Sequence, residues 1–101
     1  MKQCCRDYLM EQFGDEDVIG EIYEEYVNSV HEKLPEIEAA LATENWSAVD
    51  AQAHALKGNA LAVGDTEVAD TAIALRSAAK MSETDNGRAL LEKLKELAKT
   101  I

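Results

Sequence analysis

Apolar residues recur every three or four positions along most of this chain, and that spacing predicts amphipathic helices. A short first helix is predicted over about Gln3 to Phe13, ended by Gly14, and Asp15 can cap the next one. This second helix is long, and its apolar line is Val18, Ile22, Tyr26, Val30, Leu34, Ile37 and Leu41. Pro35 lies inside it, but the apolar face continues past the proline, so we expect a kink rather than an end.

Three further helices follow a polar break at Thr43-Glu44-Asn45, where Asn45 can cap the third helix. The inward line of the third helix is Val49, Ala53, Leu56, Ala60 and Val63. Gly64 can end it in a left-handed conformation, and Asp65 can cap the fourth. The fourth helix has the inward line Val68, Ala72, Leu75 and Ala79. The polar stretch from Ser82 to Gly87 predicts a loop, and the last helix is lined by Leu90, Leu94, Leu97 and Ile101.

Four substantial helices with short connections predict an all-α fold, namely an antiparallel up-down four-helix bundle with the short first helix as a cover. Aromatic residues make up only 5% of the chain and there is one proline, which agrees with a helical domain. A length of 101 residues suits one modest hydrophobic core, so we expect a single domain over residues 1–101.

The charge of the chain restricts its partners. A net charge of -10 disfavours binding to nucleic acid or to an anionic membrane, since both would repel an acidic surface. The chain has no run of 18 consecutive apolar residues, so no membrane span is expected. The N-terminus lacks the apolar core of a secretion signal, and we therefore expect a cytoplasmic location. Cys4 and Cys5 are adjacent and can neither staple the fold nor provide metal-ligand spacing with the histidines.

His54 is the residue with the clearest chemical potential. On a helical wheel it lies about 140° from the centre of the inward line, so we expect it to face away from the core. Lys57 lies at the flank of that line, while Gly58 and Leu61 follow His54 at one and two turns on the outward side. A glycine inside a helix costs ~1 kcal/mol relative to alanine, and close approach of another surface would explain it.

These residue types fit the transfer of a phosphoryl group between proteins. A neutral imidazole has a nitrogen lone pair that can attack phosphorus, and a lysine beside it can offset the charge of the phosphoryl oxygens. The chain has no phosphate-binding glycine loop, no nucleotide motif and no evident general base beside His54. We therefore expect a partner to supply both the metal and the activated phosphate.

The run from His54 to Gly64, HALKGNALAVG, resembles the signature of the histidine-containing phosphotransfer (HPt) domain. In that signature a phosphoacceptor histidine is followed by an apolar residue, Lys, Gly, a small residue and a closing Gly. The run from Leu34 to Leu41 and on through Asn45-Trp46 also resembles the long helix and turn of the family. The resemblance covers nearly the whole chain.

The resemblance implies a four-helix bundle that carries phosphoryl groups between receiver-domain aspartates in two-component phosphorelays. It makes His54 the phosphoacceptor, Lys57 the cationic neighbour and Gly58 the clearance for docking. Leu61 lies outside the inward line of the helix, so we expect it to join His54 and Gly58 in a docking patch. The expected partners are response-regulator receiver domains and a hybrid histidine kinase. No cofactor is expected in this chain, because Mg²⁺ belongs to the receiver. We expect a monomeric carrier without autonomous catalytic activity, free-standing or, as the alternative, a fragment of a longer kinase.

The sequence departs from the family at one position. Many members have an acidic or amide residue on the following helix that can orient the histidine ring. The counterpart here is Arg76, which cannot accept a hydrogen bond, so the group that sets the tautomer of His54 stays open.

Other functions fit the residues less well. A helical zinc-protease motif starting at His31 fails, because Pro35 takes the place of its second histidine. Di-iron bundles need inward Glu-x-x-His pairs, and neither histidine of this chain belongs to one. The main alternative is a helical interaction module that binds through the same face without being phosphorylated. An enzyme with its own small-molecule substrate comes third.

Overall fold

The computed structural model describes all residues 1–101 and contains five α-helices and no strand. The helices are α1 (Gln3–Phe13), α2 (Glu16–Ala42), α3 (Trp46–Ala62), α4 (Thr66–Lys80) and α5 (Thr84–Ala98). The all-α class is therefore confirmed, and so is the extent of the first helix. None of the five helices combines the length and the apolar character that crossing a membrane requires.

Short polar side chains and glycines set the helix ends. Asp15 accepts hydrogen bonds from the backbone N–H groups two and three residues ahead, and Asn45 and Asp65 each accept one from the N–H three residues ahead. These bonds satisfy N–H groups that have no partner within the helix. Gly14 and Gly64 have φ values of +67° and +72°, which glycine adopts without strain. The predicted caps and both glycine stops are confirmed.

The inward face of α2 begins one residue later than predicted. Val18 is 39% exposed, whereas Ile19 is fully buried, and Tyr23 is more buried than Ile22. All four residues are apolar, so helical spacing from Tyr26 allows either stripe. The ring centroids of Tyr23 and Tyr26 are 5.7 Å apart, so the two buried tyrosines of the inward face also contact each other.

The α2 helix runs without interruption through Pro35, which is exposed. The predicted continuity of this helix is therefore confirmed. The kink at Pro35 stays a prediction.

The predicted loop from Ser82 to Gly87 is wrong from Thr84 onward, because α5 already begins there. Gly87 is buried inside this helix, and a Cβ atom there would lie 3.0 Å from the Leu41 side chain. The glycine marks a close approach of α5 to α2 rather than a turn. On the predicted inward line of α5 only Leu94 is fully buried. The neighbouring Leu91 and Ala98 are buried too, whereas Leu90, Leu97 and Ile101 are partly buried against the core.

The helices pack in a ring of neighbours. The α3 helix contacts α2 and α4, α5 contacts α4 and α2, and α1 packs on α2 alone. The shared core contains 23 buried residues, and every residue of the predicted inward lines of α3 and α4 is among them. Cys5 and Leu9 bring α1 into this core, so α1 covers part of it.

A buried polar cluster joins the start of the chain to the start of α4. The Asp65 carboxylate is fully buried, lies 2.7 Å from Lys2 Nζ and accepts a 2.7 Å hydrogen bond from the Tyr26 hydroxyl. Burial lowers the pKa of the Lys2 ammonium, but the hydrogen bond and charge of Asp65 outweigh it and leave that pKa raised. Three segments of the chain thus share one carboxylate.

Candidate functional site

His54 lies on the exposed side of α3, in the middle of the helix. The neighbouring Ala53 and Leu56 are fully buried, so the same turn both anchors the helix to the core and presents the imidazole to solvent. This agrees with the outward orientation predicted from the wheel.

Arg76 reaches His54 from the next helix. Its Nη1 atom lies 2.9 Å from His54 Nδ1, and its Nε donates a 2.9 Å hydrogen bond to Asp50 Oδ1. The side chains of Arg76 and Asp50 are 27% and 35% exposed, so the pair is partly shielded from water. The hydrogen bond and charge of Arg76 lower the pKa of Asp50, assisted by the charges of Lys80 and His54.

The Arg76 contact defines the roles of the two ring nitrogens. A guanidinium has only donors and stays protonated, so Nδ1 must be the acceptor. A neutral His54 ring in this geometry therefore carries its proton on Nε2, which makes no hydrogen bond within the chain. The residue that sequence reasoning could not connect to the ring is thus bonded directly to it.

Asp50 was not among the residues predicted for the site. The signal was present, since Asp50 precedes His54 by four positions and so lies on the same face of α3. What the sequence did not indicate is that Arg76 would bridge the two side chains from α4.

The other predicted site residues extend along the same helix. Lys57 is partly buried and forms no salt bridge within the chain, so its ammonium is free to meet an anion. Gly58 is exposed, and a Cβ atom there would have no neighbour within 4 Å. Leu61 is 48% exposed. The structure thus brings together a cation, an open gap and an apolar contact on the His54 side of α3.

A shallow groove between α2 and α3 borders this surface. It has a volume of about 290 Å³, and its lining is Ile22, Glu25, Tyr26, Ser29, Asn59, Ala62 and Val63. The Asn59 side chain donates a 2.7 Å hydrogen bond to the Ser29 hydroxyl across it. These two polar side chains thereby satisfy each other and hold the two helices in register.

The remaining histidine and cysteines do not assemble into a second reactive site. His31 is exposed, and no three His, Cys, Asp or Glu side chains are grouped so that they could hold a metal ion. Cys4 and Cys5 are free thiols with sulfur atoms 4.0 Å apart. Burial, together with the nearby charge of Asp65, raises the pKa of the Cys5 thiol to about 12.

A comparison with known protein families identifies the family of this chain. The model of the Hpt domain matches residues 21–101, which include most of α2 and all of α3, α4 and α5. This chain belongs to the Hpt domain family. Comparisons with curated proteins and with solved structures found no match.

Hpt domains carry out histidine phosphotransfer in phosphorelays and interact there with receiver domains and kinases. The matched region contains both histidines of the chain, and they differ in their surroundings. His54 lies beside Arg76, Asp50 and the open surface at Gly58, whereas His31 makes no side-chain hydrogen bond. Of the two histidines, His54 is therefore the one that lies beside an arginine and an open helix surface.

Proposed function

We propose that this Hpt domain accepts a phosphoryl group on His54 from a receiver-domain aspartate and passes it to the aspartate of another receiver. The observation that carries the proposal is the exposed His54 residue, whose Nδ1 is bonded to Arg76 while its Nε2 makes no hydrogen bond within the chain. Of the two nitrogens, Nε2 is the one that an incoming phosphoryl group can reach.

The transfer is a direct exchange of bonds at phosphorus. The ring first loses its Nε2 proton to water and takes up a proton on Nδ1, which frees the Nε2 lone pair. This lone pair attacks the phosphorus of the acyl phosphate, an N–P bond forms, and the P–O bond to the aspartate breaks with its electron pair on the carboxylate. The Nδ1 proton then leaves to water, since the ring is exposed. Lys57 offsets the charge of the phosphoryl oxygens during this exchange. Return transfer to a second receiver reverses these steps.

Docking of the receiver uses the surface next to the histidine. Gly58 leaves room for the partner one turn beyond His54, and Leu61 offers an apolar contact at the next turn. The receiver contributes the Mg²⁺ and the groups that activate the acyl phosphate, and this domain contributes the nucleophile. A monomer is sufficient for phosphotransfer, because His54, Lys57, Gly58 and Leu61 lie on one α3 helix and Arg76 lies on α4 of the same chain.

The architecture belongs to the same proposal. Neighbouring helices in sequence contact one another, and α5 returns to α2. Their connections are short, with α2, α3, α4 and α5 separated by three residues each. Both features support an antiparallel up-down bundle of α2 to α5 with α1 as its cover.

One observation favours a second candidate, a docking module that binds the same partners without being phosphorylated. Arg76 holds the ring in the form that carries its proton on Nε2, and this form has no lone pair there. Attack on phosphorus first requires the proton to move to Nδ1. In the docking module this exchange never occurs, and His54 serves only as a contact.

Incubation with a phosphorylated receiver separates the two candidates. The carrier acquires an acid-labile, base-stable phosphoryl adduct, whereas His54→Gln acquires none and His31→Gln acquires as much as the wild type. An unlabelled wild type, or label that survives His54→Gln, would contradict phosphotransfer through His54. Direct binding to the receiver, measured in parallel, supports the docking module if it persists without label.

A further inference from the structure

The contact between Arg76 and His54 has a consequence for how long a phosphoryl group stays on the ring. We propose that Arg76, held in place by Asp50, is a positioning residue that keeps Nδ1 of His54 unprotonated and so retards both loading and loss of the phosphoryl group. This inference rests on the proposed function of His54 as a phosphoryl carrier. It makes this domain a slow-exchanging phosphoryl store.

The geometry limits Nδ1 to one role. The Nη1 atom of Arg76 lies 2.9 Å from Nδ1, and an arginine can only donate. A ring with a phosphoryl group on Nε2 and no proton on Nδ1 presents the same acceptor to Arg76. The contact is therefore compatible with the neutral ring both before and after phosphorylation. It is incompatible with a proton on Nδ1.

Loss of the phosphoryl group depends on that proton. Water or an aspartate attacks the phosphorus, the N–P bond breaks, and its electron pair goes to Nε2. The departing ring becomes a neutral imidazole only if Nδ1 carries a proton; otherwise it leaves as an imidazolate, a much poorer leaving group. Arg76 occupies the Nδ1 lone pair without giving up its own proton, because guanidinium stays protonated at any physiological pH. It therefore disfavours the labile form.

Loading is affected through the same nitrogen. Attack by Nε2 requires the tautomer with its proton on Nδ1, and the Arg76 hydrogen bond stabilises the opposite tautomer. A proton must leave Nε2 and another must reach Nδ1 before the ring can attack. The Arg76 contact thus slows both loading and loss of the phosphoryl group and does not favour either one.

Asp50 fixes the position of the Arg76 guanidinium beside the His54 ring. A long arginine side chain on a surface is mobile, but the 2.9 Å hydrogen bond from Nε to Asp50 fixes one end of this guanidinium. Asp50 and His54 are separated by one turn of α3, so the same guanidinium spans both. The other cations near the ring, Lys57 and Lys80, make no hydrogen bond to it.

The tautomer can be tested without any phosphotransfer. In long-range ¹H–¹⁵N spectra of the neutral ring, His54 of the wild type is expected to show an unprotonated Nδ1 and a protonated Nε2. Arg76→Gln introduces an amide oxygen that can accept from Nδ1–H, and should shift the ring toward the opposite tautomer. Lys80→Gln is the charge-matched control on the same helix and should leave the spectrum unchanged. A wild-type ring with its proton mainly on Nδ1 would overturn the proposal.

The lifetime of the phosphoryl group is the second readout. Each purified variant is loaded with phosphoramidate, a small-molecule donor that needs no receiver, and the decay of phosphohistidine is followed at neutral pH. Arg76→Gln should load faster and decay about three- to tenfold faster, as expected for loss of one hydrogen bond. Asp50→Asn should move in the same direction, Arg76→Lys should restore part of the lifetime, and Lys80→Gln should match the wild type.

The outcomes separate this inference from the proposed function. Equal lifetimes for the wild type and Arg76→Gln, with both proteins folded by circular dichroism, would overturn the role of Arg76 even if receivers load His54. If no receiver loads the wild type but phosphoramidate does, the carrier function fails while the lifetimes still test Arg76.

Discussion

Tyr26 donates a 2.7 Å hydrogen bond to the fully buried carboxylate of Asp65, so the middle of α2 is bonded to the residue that caps α4. The other carboxylate oxygen lies 2.7 Å from Lys2 Nζ and accepts from the backbone N–H of Val68. Burial and the hydrogen bond to Asp65 raise the pKa of Tyr26, which keeps its hydroxyl protonated as a donor. No buried side-chain nitrogen or oxygen in the chain lacks a partner.

Replacing Asp65 with alanine should be among the most damaging single changes in this domain. It removes a helix cap and leaves the Lys2 ammonium and the Tyr26 hydroxyl without their partner. Breaking a buried pair by removing one member costs about 3–5 kcal/mol. We expect a loss of that size in the free energy of unfolding, measured by urea titration monitored by circular dichroism.

Glu67→Ala provides the matched control for Asp65→Ala. The Glu67 carboxylate lies 3.5 Å from Lys2 Nζ but is 65% exposed, so its removal should change the free energy of unfolding by less than about 1 kcal/mol. Similar losses in the two variants would show that burial of the Asp65 carboxylate is not what makes it important.

Gly64→Ala should destabilise the domain through two effects at once. Its φ of +72° costs any other residue about 1–2 kcal/mol, and an added Cβ would lie 2.7 Å from the Cβ of Tyr8. We expect a loss of about 2 kcal/mol or more in thermal or chemical unfolding. A variant as stable as the wild type would mean that the turn between α3 and α4 can rearrange freely.

Gly58→Ala should have the opposite effect on stability. This glycine lies inside α3 with open space around its missing side chain, and alanine is favoured there by about 0.5–1 kcal/mol. We expect a higher midpoint of thermal unfolding. Gly58→Glu should also fold, which circular dichroism can check, yet weaken receiver binding. Unchanged transfer kinetics in Gly58→Glu would refute the docking role of this position.

The two thiols should differ sharply in reactivity. Cys4 is exposed, whereas Cys5 is fully buried and its pKa is raised to about 12, so almost no Cys5 thiolate forms near neutral pH. With Ellman's reagent at pH 8 we expect one thiol to react quickly and the second only after denaturation. Two fast equivalents in the native protein would contradict the burial of Cys5.

The ion pair between Asp50 and Arg76 should be visible in a pH titration. The hydrogen bond from Arg76 lowers the pKa of Asp50 below its ordinary value of 3.8, with smaller contributions from Lys80 and His54. A lowered pKa in the folded state means that the pair stabilises the fold above about pH 3.8 and that this contribution is lost as the pH falls below it.

NMR titration of the Asp50 side-chain carboxyl carbon gives this pKa directly. The midpoint should lie below 3.8 in the wild type and return toward 3.8 in Arg76→Gln. Equal midpoints in the two proteins would show that the contact is not maintained in solution.

Helix ends and helix faces were the features that the sequence predicted best, because they depend on local chemistry. Asp15, Asn45 and Gly64 act within a few residues of themselves, and the outward position of His54 follows from the spacing of α3 alone. The start of α5 was missed because the polar stretch from Ser82 to Gly87 was interpreted as a loop. The actual neighbour of Gly87 is Leu41 on another helix, which no local pattern indicates.

The contacts between distant residues had to come from the structure. Val18 and Ile19 are both apolar, so only packing decides which of them enters the core. The bond between Arg76 and His54 joins residues 22 positions apart, and Lys2 meets Asp65 across 63 positions. Periodicity constrains which face a residue occupies, but it does not say which side chain of a neighbouring helix will meet it there.

The first twenty residues lie outside the part that the family shares, yet they are built into the interior of this protein. Cys5, Leu9 and Ile19 are fully buried, and Lys2 provides the cation for the Asp65 carboxylate. A fragment that starts at residue 21 would expose the apolar core residues that α1 covers and would leave the buried Asp65 carboxylate without its cation. The packed unit in this protein is thus longer than the region matched by the family, and a design that moves the His54 surface into another protein should include α1.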